Sequence, residues 1–218
     1  MQHGPLRNRP WEVSAIYADG AERVSITLTP SRASQADDPL LQFAPHLQVA
    51  LHMELGETLV QTLETHNHGT HASNLTQALH SYFAVQDVAQ VRVTGLEDLR
   101  FEDKLLGTTG TVQQGAFQLD TNCDRIYQQP TSNPSRHYTL HDPLWQRRIH
   151  IHTQGSQSVV VWNPGAAQAR SMVDVPDAAW QGFLCIEATN AGQGDVVTLA
   201  PGGQHRLTQT LAVEPWQP

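Results

Sequence analysis

Gly182-Phe183-Leu184-Cys185-Ile186-Glu187-Ala188-Thr189 is the stretch on which the reading of this chain turns. In a β-strand successive side chains point to opposite faces, so Phe183, Cys185 and Glu187 share one face. A carboxylate in so apolar a strand is expensive unless it is partnered or functional, which makes Glu187 the strongest single signal in the sequence. Ala78-Leu79-His80-Ser81-Tyr82-Phe83 reads as a second such strand. It places His80 and Tyr82 on one face and Leu79, Ser81 and Phe83 on the other. Asp124-Arg125-Ile126-Tyr127 opens a third, and its adjacent acid and base should point opposite ways.

Working outward, the same short alternation recurs between turn signals, and no helical period is sustained. Trp11 to Tyr17 and Val24 to Leu28 flank Ala18-Asp19-Gly20, a hairpin signal because Asp-Gly accepts the positive φ of a tight turn. Leu47 to Leu55 and Thr58 to Glu64 flank Gly56 in the same way. Further strands are expected at Leu79 to Val85, Gln90 to Val93, Thr111 to Leu119, Asp124 to Gln128, Arg136 to His141, Arg147 to Thr153, Ser158 to Trp162, Asp195 to Leu199 and Gln204 to Val213. Asn163 to Trp180 breaks the alternation as an excursion with a helical turn. So many short strands predict an all-β, antiparallel sandwich of two large sheets. No linker composition divides the chain, so residues 1–218 read as one domain.

Composition supports this. Hydrophobic residues make up 39% and charged residues 16% of the 218, with 15 Gly and 13 Pro, as in a turn-rich β protein. The net charge of −8, with 13 scattered Lys and Arg, argues against a nucleic acid partner. No apolar run has the length of a membrane helix and the N-terminus lacks a signal-peptide core, so no membrane is expected as a partner and the cytoplasm is the expected location. Cys123 and Cys185 belong to no CxxC pair and read as reduced thiols near the core. Twelve His raise a metal reading, through His66, His68 and His71 and through His150 and His152. No Cys joins either group, and Thr65-His66-Asn67-His68-Gly69 also reads as a hairpin turn with Asn67 and Gly69 in unusual φ, so no metal is expected.

Five ordered motifs, Ala78-Leu-His80-Ser-Tyr-Phe83, Asp124-Arg-Ile-Tyr127, Val160-Val-Trp162-Asn163-Pro164-Gly165, Ser171-Met-Val-Asp174 and Cys185-Ile-Glu187, resemble the glucose-6-phosphate 1-epimerase branch of the aldose 1-epimerase (galactose mutarotase-like) family. The opening His3-Gly4-Pro5-Leu6-Arg7-Asn8-Arg9-Pro10-Trp11 is similar to that family's His-Gly-Phe-Ala-Arg segment, with Pro5 and Leu6 in place of Phe and Ala. The resemblance implies a distorted sandwich with a sugar in an open cleft, no cofactor, and interconversion of the α and β anomers of a hexose 6-phosphate. It makes His80 the general acid and Glu187 the general base, Asp124 a contact to a sugar hydroxyl, and His3 and Arg7 neighbours of the ring and the phosphate. The expected partner is therefore a small-molecule sugar or sugar phosphate, and the chain is expected to be a monomer. The family's Gly-Gly segment ahead of the opening motif, with a phosphate-holding Arg, is not seen in this sequence. The sandwich is accordingly expected to lack N-terminal strands and to leave sheet edges exposed.

The chemistry wants the same residue types. Mutarotation removes a proton from the anomeric hydroxyl and protonates the ring oxygen, which a carboxylate and an imidazolium opposite each other perform. Carboxylates near His80 are expected to favour its charged form, and apolar walls to favour protonated Glu187. A carbohydrate-binding sandwich without catalysis is the alternative, with Tyr82, Tyr127 and Trp162 as stacking surfaces. It has no need of the acid/base pair.

Overall fold

The computed structural model describes residues 3–20, 22–31, 40, 42, 44–129, 135–192 and 194–216. In chain order the described strands are β1 (Trp11–Asp19), β2 (Arg23–Pro30), β3 (Leu47–Leu55), β4 (Thr58–Asn67), β5 (Ser73–Leu75), β6 (Gln77–Leu79), β7 (Tyr82–Ala84), β8 (Arg92–Thr94) and β9 (Arg100–Asp103). They continue with β10 (Thr108–Val112), β11 (Cys123–Gln128), β12 (Ser135–Asp142), β13 (Arg147–Gln154), β14 (Ser158–Asn163), β15 (Phe183–Asn190), β16 (Val197–Leu199) and β17 (Gln204–Pro215). An eight-stranded sheet runs β1-β2-β3-β4-β17-β13-β12-β8, and a seven-stranded sheet runs β10-β9-β11-β14-β15-β6, with β7 also on β15. Every pairing is antiparallel.

The two hairpins read at Asp19-Gly20 and Gly56 form as expected. Asp19 pairs with Arg23 and Leu55 with Leu59, and Gly20 has φ +66°. Alternation then decides what is buried. Tyr138, Leu140, Ile149 and Ile151 of the large sheet meet Phe101, Tyr127, Val159, Val161, Leu184 and Ile186 of the smaller one. Each aliphatic side chain so buried contributes about 1.5–3 kcal/mol, and this cluster joins the sheets face to face. Polar bonds pin the same layer. The buried Gln209 of β17 accepts from Ser81 Oγ at 2.5 Å and donates to the Ile186 carbonyl at 3.0 Å.

Several expected strands differ. The run Leu79 to Val85 divides into β6 and β7, because the Ser81 N–H turns back onto the Leu79 carbonyl at 3.0 Å and closes a three-residue turn centred on His80. Gln90 to Val93 becomes a 3₁₀ turn (Val88–Gln90) and then β8, with Asp87 capping the turn at the Ala89 N–H. Thr111 to Leu119 keeps only its start as part of β10, after which Phe117 bridges Val93. Asp195 to Leu199 shortens to β16, while β5 and β9 carried no alternation long enough to read. Thr65 to Gly69 ends β4 and turns, but neither Asn67 nor Gly69 takes positive φ. Instead the buried Asn67 side chain holds the turn, donating to His71 O and Leu199 O and accepting from Gly69 N.

Among the described residues β1 is an edge of the large sheet, with Val13, Ile16 and Tyr17 each more than half exposed. A different constraint sits between β13 and β14. Gly155 has φ +81°, and a Cβ there would lie 1.9 Å from the Arg206 carbonyl oxygen. Gly155→Ala is expected to cost about 3 kcal/mol or more through strain and collision, lowering the melting temperature by about 6 °C or more, as a thermal melt would read.

Candidate active site

β6, β7 and β15 build the site because they keep one register across the turn at His80. Leu79 lies opposite Ala188 and Tyr82 opposite Cys185, so His80 falls opposite Glu187 on the same face. His80 Nε2 and Glu187 Oε1 are 3.3 Å apart. The face continues across the sheet, since Cys185 opposes Trp162 and Trp162 opposes Asp124. At about 4.8 Å per strand, Asp124 stands roughly 10 Å from the column that carries Glu187, a gap of about one sugar ring.

The N-terminal segment closes over this face. The His3 ring meets His80 edge-on at 5.5 Å, and Arg7 Nη2 donates to the Tyr82 hydroxyl at 3.2 Å. Tyr82 in turn stacks on His80 with centroids 4.8 Å apart and planes 13° from parallel. Phe183 and Trp162 pack around Tyr82, which fixes the imidazole from behind. His3, Arg7, His80 and Tyr82 line an open cavity of about 950 Å³ that continues toward Leu51, Leu63 and Leu211 of the large sheet. All five residues expected in the site, His3, Arg7, His80, Asp124 and Glu187, thus come to one face.

One contributor went unread in the sequence. Lys104 is the sole lysine of the chain, and its Nζ lies 3.8 Å from Asp124 Oδ1. Asp103 places it there. One oxygen of the buried Asp103 carboxylate accepts from the Leu105 and Leu106 N–H groups, and the other accepts from Arg125 Nε at 3.1 Å. The turn so formed brings the Lys104 backbone N–H onto the Asp124 carbonyl at 2.9 Å. Arg125 lies over the Phe101 ring on the core side, so it and Asp124 do face opposite ways. A lone lysine after an acid was the available signal.

Burial sets the protons. It lowers His80 to about 4, with Arg7 and His3 adding to the effect, and raises Glu187 to about 8, with Asp124 adding and Lys104 and Arg7 opposing. The expectation that carboxylates would favour a charged His80 is therefore reversed, because dehydration and two basic neighbours act on the imidazole first. Near neutrality the pair carries one proton, on Glu187. Burial also raises Asp124 above the usual carboxylate range, opposed by Lys104.

The remaining readings resolve locally. Asn163-Pro164-Gly165 is a structural turn into α1 (Gly165–Ala169), in which Asn163 donates to Trp180 O and Phe183 O and accepts from Gly165 N. His66 and His68 bond to Gly202 O and Gln48 Oε1, and His150 contacts Glu214. Neither histidine group forms a three-donor cluster among the described residues. Both cysteines are free and buried, Cys123 in the core cluster and Cys185 beneath the site.

Residues 1–212 match the family model described as "Aldose 1-epimerase". The chain belongs to the aldose 1-epimerase family. A relative from Escherichia coli K12, named "Putative glucose-6-phosphate 1-epimerase", is 33% identical over 198 residues, covering 90% of this chain and 63% of that protein. A relative of the same name from Salmonella typhimurium is 34% identical, covering 97% of this chain and 67% of its own. The crystal structure described as "a putative mutarotase (YeaD) from Salmonella typhimurium" superposes with a TM-score of 0.83 at 31% identity, over 98% of this chain and 68% of that one. The chain thus spans about two thirds of the length of the relatives it matches. The all-β epimerase fold is shared, and among the described residues no helix is long and apolar enough to cross a membrane.

Proposed function

We propose that this aldose 1-epimerase family member interconverts the α and β anomers of a hexose 6-phosphate by acid/base ring opening. The observation that carries the reading is the His80–Glu187 pair, 3.3 Å apart, with His80 lining the cavity and the pair sharing one proton near neutrality. In the reacting arrangement the proton lies on His80 and Glu187 is ionised. Glu187 takes the proton of the anomeric hydroxyl while His80 protonates the ring oxygen, the C1–O5 bond breaks, and a free aldehyde forms. Rotation about C1–C2 presents the other carbonyl face. Closing reverses both transfers, so the pair ends with the proton it began with. Asp124 accepts from a ring hydroxyl, and His3 packs at the sugar's edge.

The phosphate falls to the cations. Arg7 is held by Tyr82 at the rim, and Lys104 stands on the far side beside Asp124. A guanidinium grips phosphate through two parallel bonds, whereas an ammonium acts as a point charge. Arg7→Ala is expected to weaken glucose 6-phosphate binding about tenfold or more while changing glucose binding little, and Lys104→Met to produce a smaller loss of the same kind. Calorimetric titration of both sugars into the wild type and the two variants tests this. Unchanged discrimination in Arg7→Ala removes Arg7 from phosphate binding.

A further inference from the structure

Donors for a second chemistry meet beside the cleft. A ring nitrogen of His80, Cys185 Sγ and a Glu187 carboxylate oxygen all lie within 4.8 Å of one another, one nitrogen, one sulfur and one oxygen. They converge because Cys185 and Glu187 are two residues apart on β15, on the face that His80 shares. A tetrahedral zinc-type ion binds such atoms at about 2.0–2.3 Å, which places donors roughly 3.3–3.8 Å apart, so side-chain rotations of about an ångström close the set. Cys185 and Glu187 are buried, and His80 lines the open cavity.

We propose that His80, Cys185 and Glu187 form an inhibitory binding site for a thiophilic divalent cation of the zinc class. Sulfur and imidazole select such ions over magnesium or calcium, which prefer oxygen. Charge favours a dication as well, because a thiolate and a carboxylate neutralise it and leave the buried site uncharged. On binding, Cys185 loses its thiol proton and Glu187 its carboxyl proton, both to solvent, and His80 supplies a ring-nitrogen lone pair. No electrons are transferred. The bound ion then occupies the lone pairs that proton transfer requires, so the cation stops the reaction. That consequence rests on the proposed function, whereas the binding itself does not.

Cadmium is the probe, added to the reduced, metal-free protein. One equivalent is expected to give a thiolate-to-cadmium charge-transfer absorption, to release two protons at neutral pH, and to bind about a hundredfold more tightly for each unit that the pH rises toward 8. Cys185→Ser should abolish the absorption and weaken binding more than about 100-fold, while Cys123→Ser retains both. Glu187→Gln should keep the absorption and release one proton, which covers the case in which Cys185→Ser fails to fold. Anomer exchange should stop with one equivalent and return on adding a chelator. Absence of the absorption, its survival in folded Cys185→Ser, or full exchange by the cadmium-loaded protein overturns the proposal. A wild type that exchanges no anomers overturns the proposed function instead, and the absorption still decides the metal site.

Discussion

Glu187→Gln is expected to slow anomer exchange by about 10²–10⁴-fold while sugar affinity stays within a few fold, because the amide keeps the shape of the carboxyl and loses its basicity. The same change should stabilise the fold in alkaline solution. Burial raises Glu187 from 4.5 to about 8, so the folded protein holds a proton that the unfolded chain releases above pH 4.5. Stability is therefore lost as pH rises between those values, at up to about 1.4 kcal/mol per unit, and a glutamine loses none. At pH 8 the variant should be more stable by a few kcal/mol and melt several degrees above the wild type, a gap that closes below pH 4.5. A variant that is active, or that melts lower at pH 8, contradicts the assignment. Greater stability together with lost activity identifies a residue kept at a cost to the fold.

The second large effect is on pH dependence. The reaction needs one proton on the His80–Glu187 pair. Activity should fall below about pH 4, where the imidazole is charged and the carboxyl still protonated, and above about pH 8, where both are deprotonated. Between these limits the profile should be broad. His80→Asn should lower the rate about 10²–10⁴-fold and abolish the acid limb, since asparagine does not titrate there. A profile centred on an ordinary histidine near 6.5, or an unaltered acid limb in His80→Asn, would show that another group carries the proton.

Alternation alone made much of this legible. Strand parity placed Phe183, Cys185 and Glu187 on one face and separated Asp124 from Arg125, because a period of two depends only on local geometry. The Asp-Gly hairpin was legible for the same reason, since a positive φ is a property of its own residues. His80 was placed mid-strand, yet it sits in a turn whose following residue bonds to Gln209, 128 positions away. Nothing near His80 in sequence encodes that contact. β5 and β9 were missed because three or four residues are held as strands by their partners β16, β10 and β11 rather than by their own pattern. Lys104 escaped notice because an exposed lysine in a turn is ordinary, and its value comes from the turn held by the Asp103 carboxylate. The proton balance of His80 was misjudged because burial and the nearness of Arg7 and His3 are properties of the folded chain.

The most direct measurement is two-dimensional exchange NMR on an equilibrium mixture of α- and β-glucose 6-phosphate, with and without the protein. The account predicts cross-peaks between the two anomeric protons that grow in proportion to enzyme concentration, exceed the buffer rate, and fall to it in Glu187→Gln. Exchange that stays at the buffer rate while the protein visibly binds the sugar would contradict the account and leave a carbohydrate-binding protein in its place.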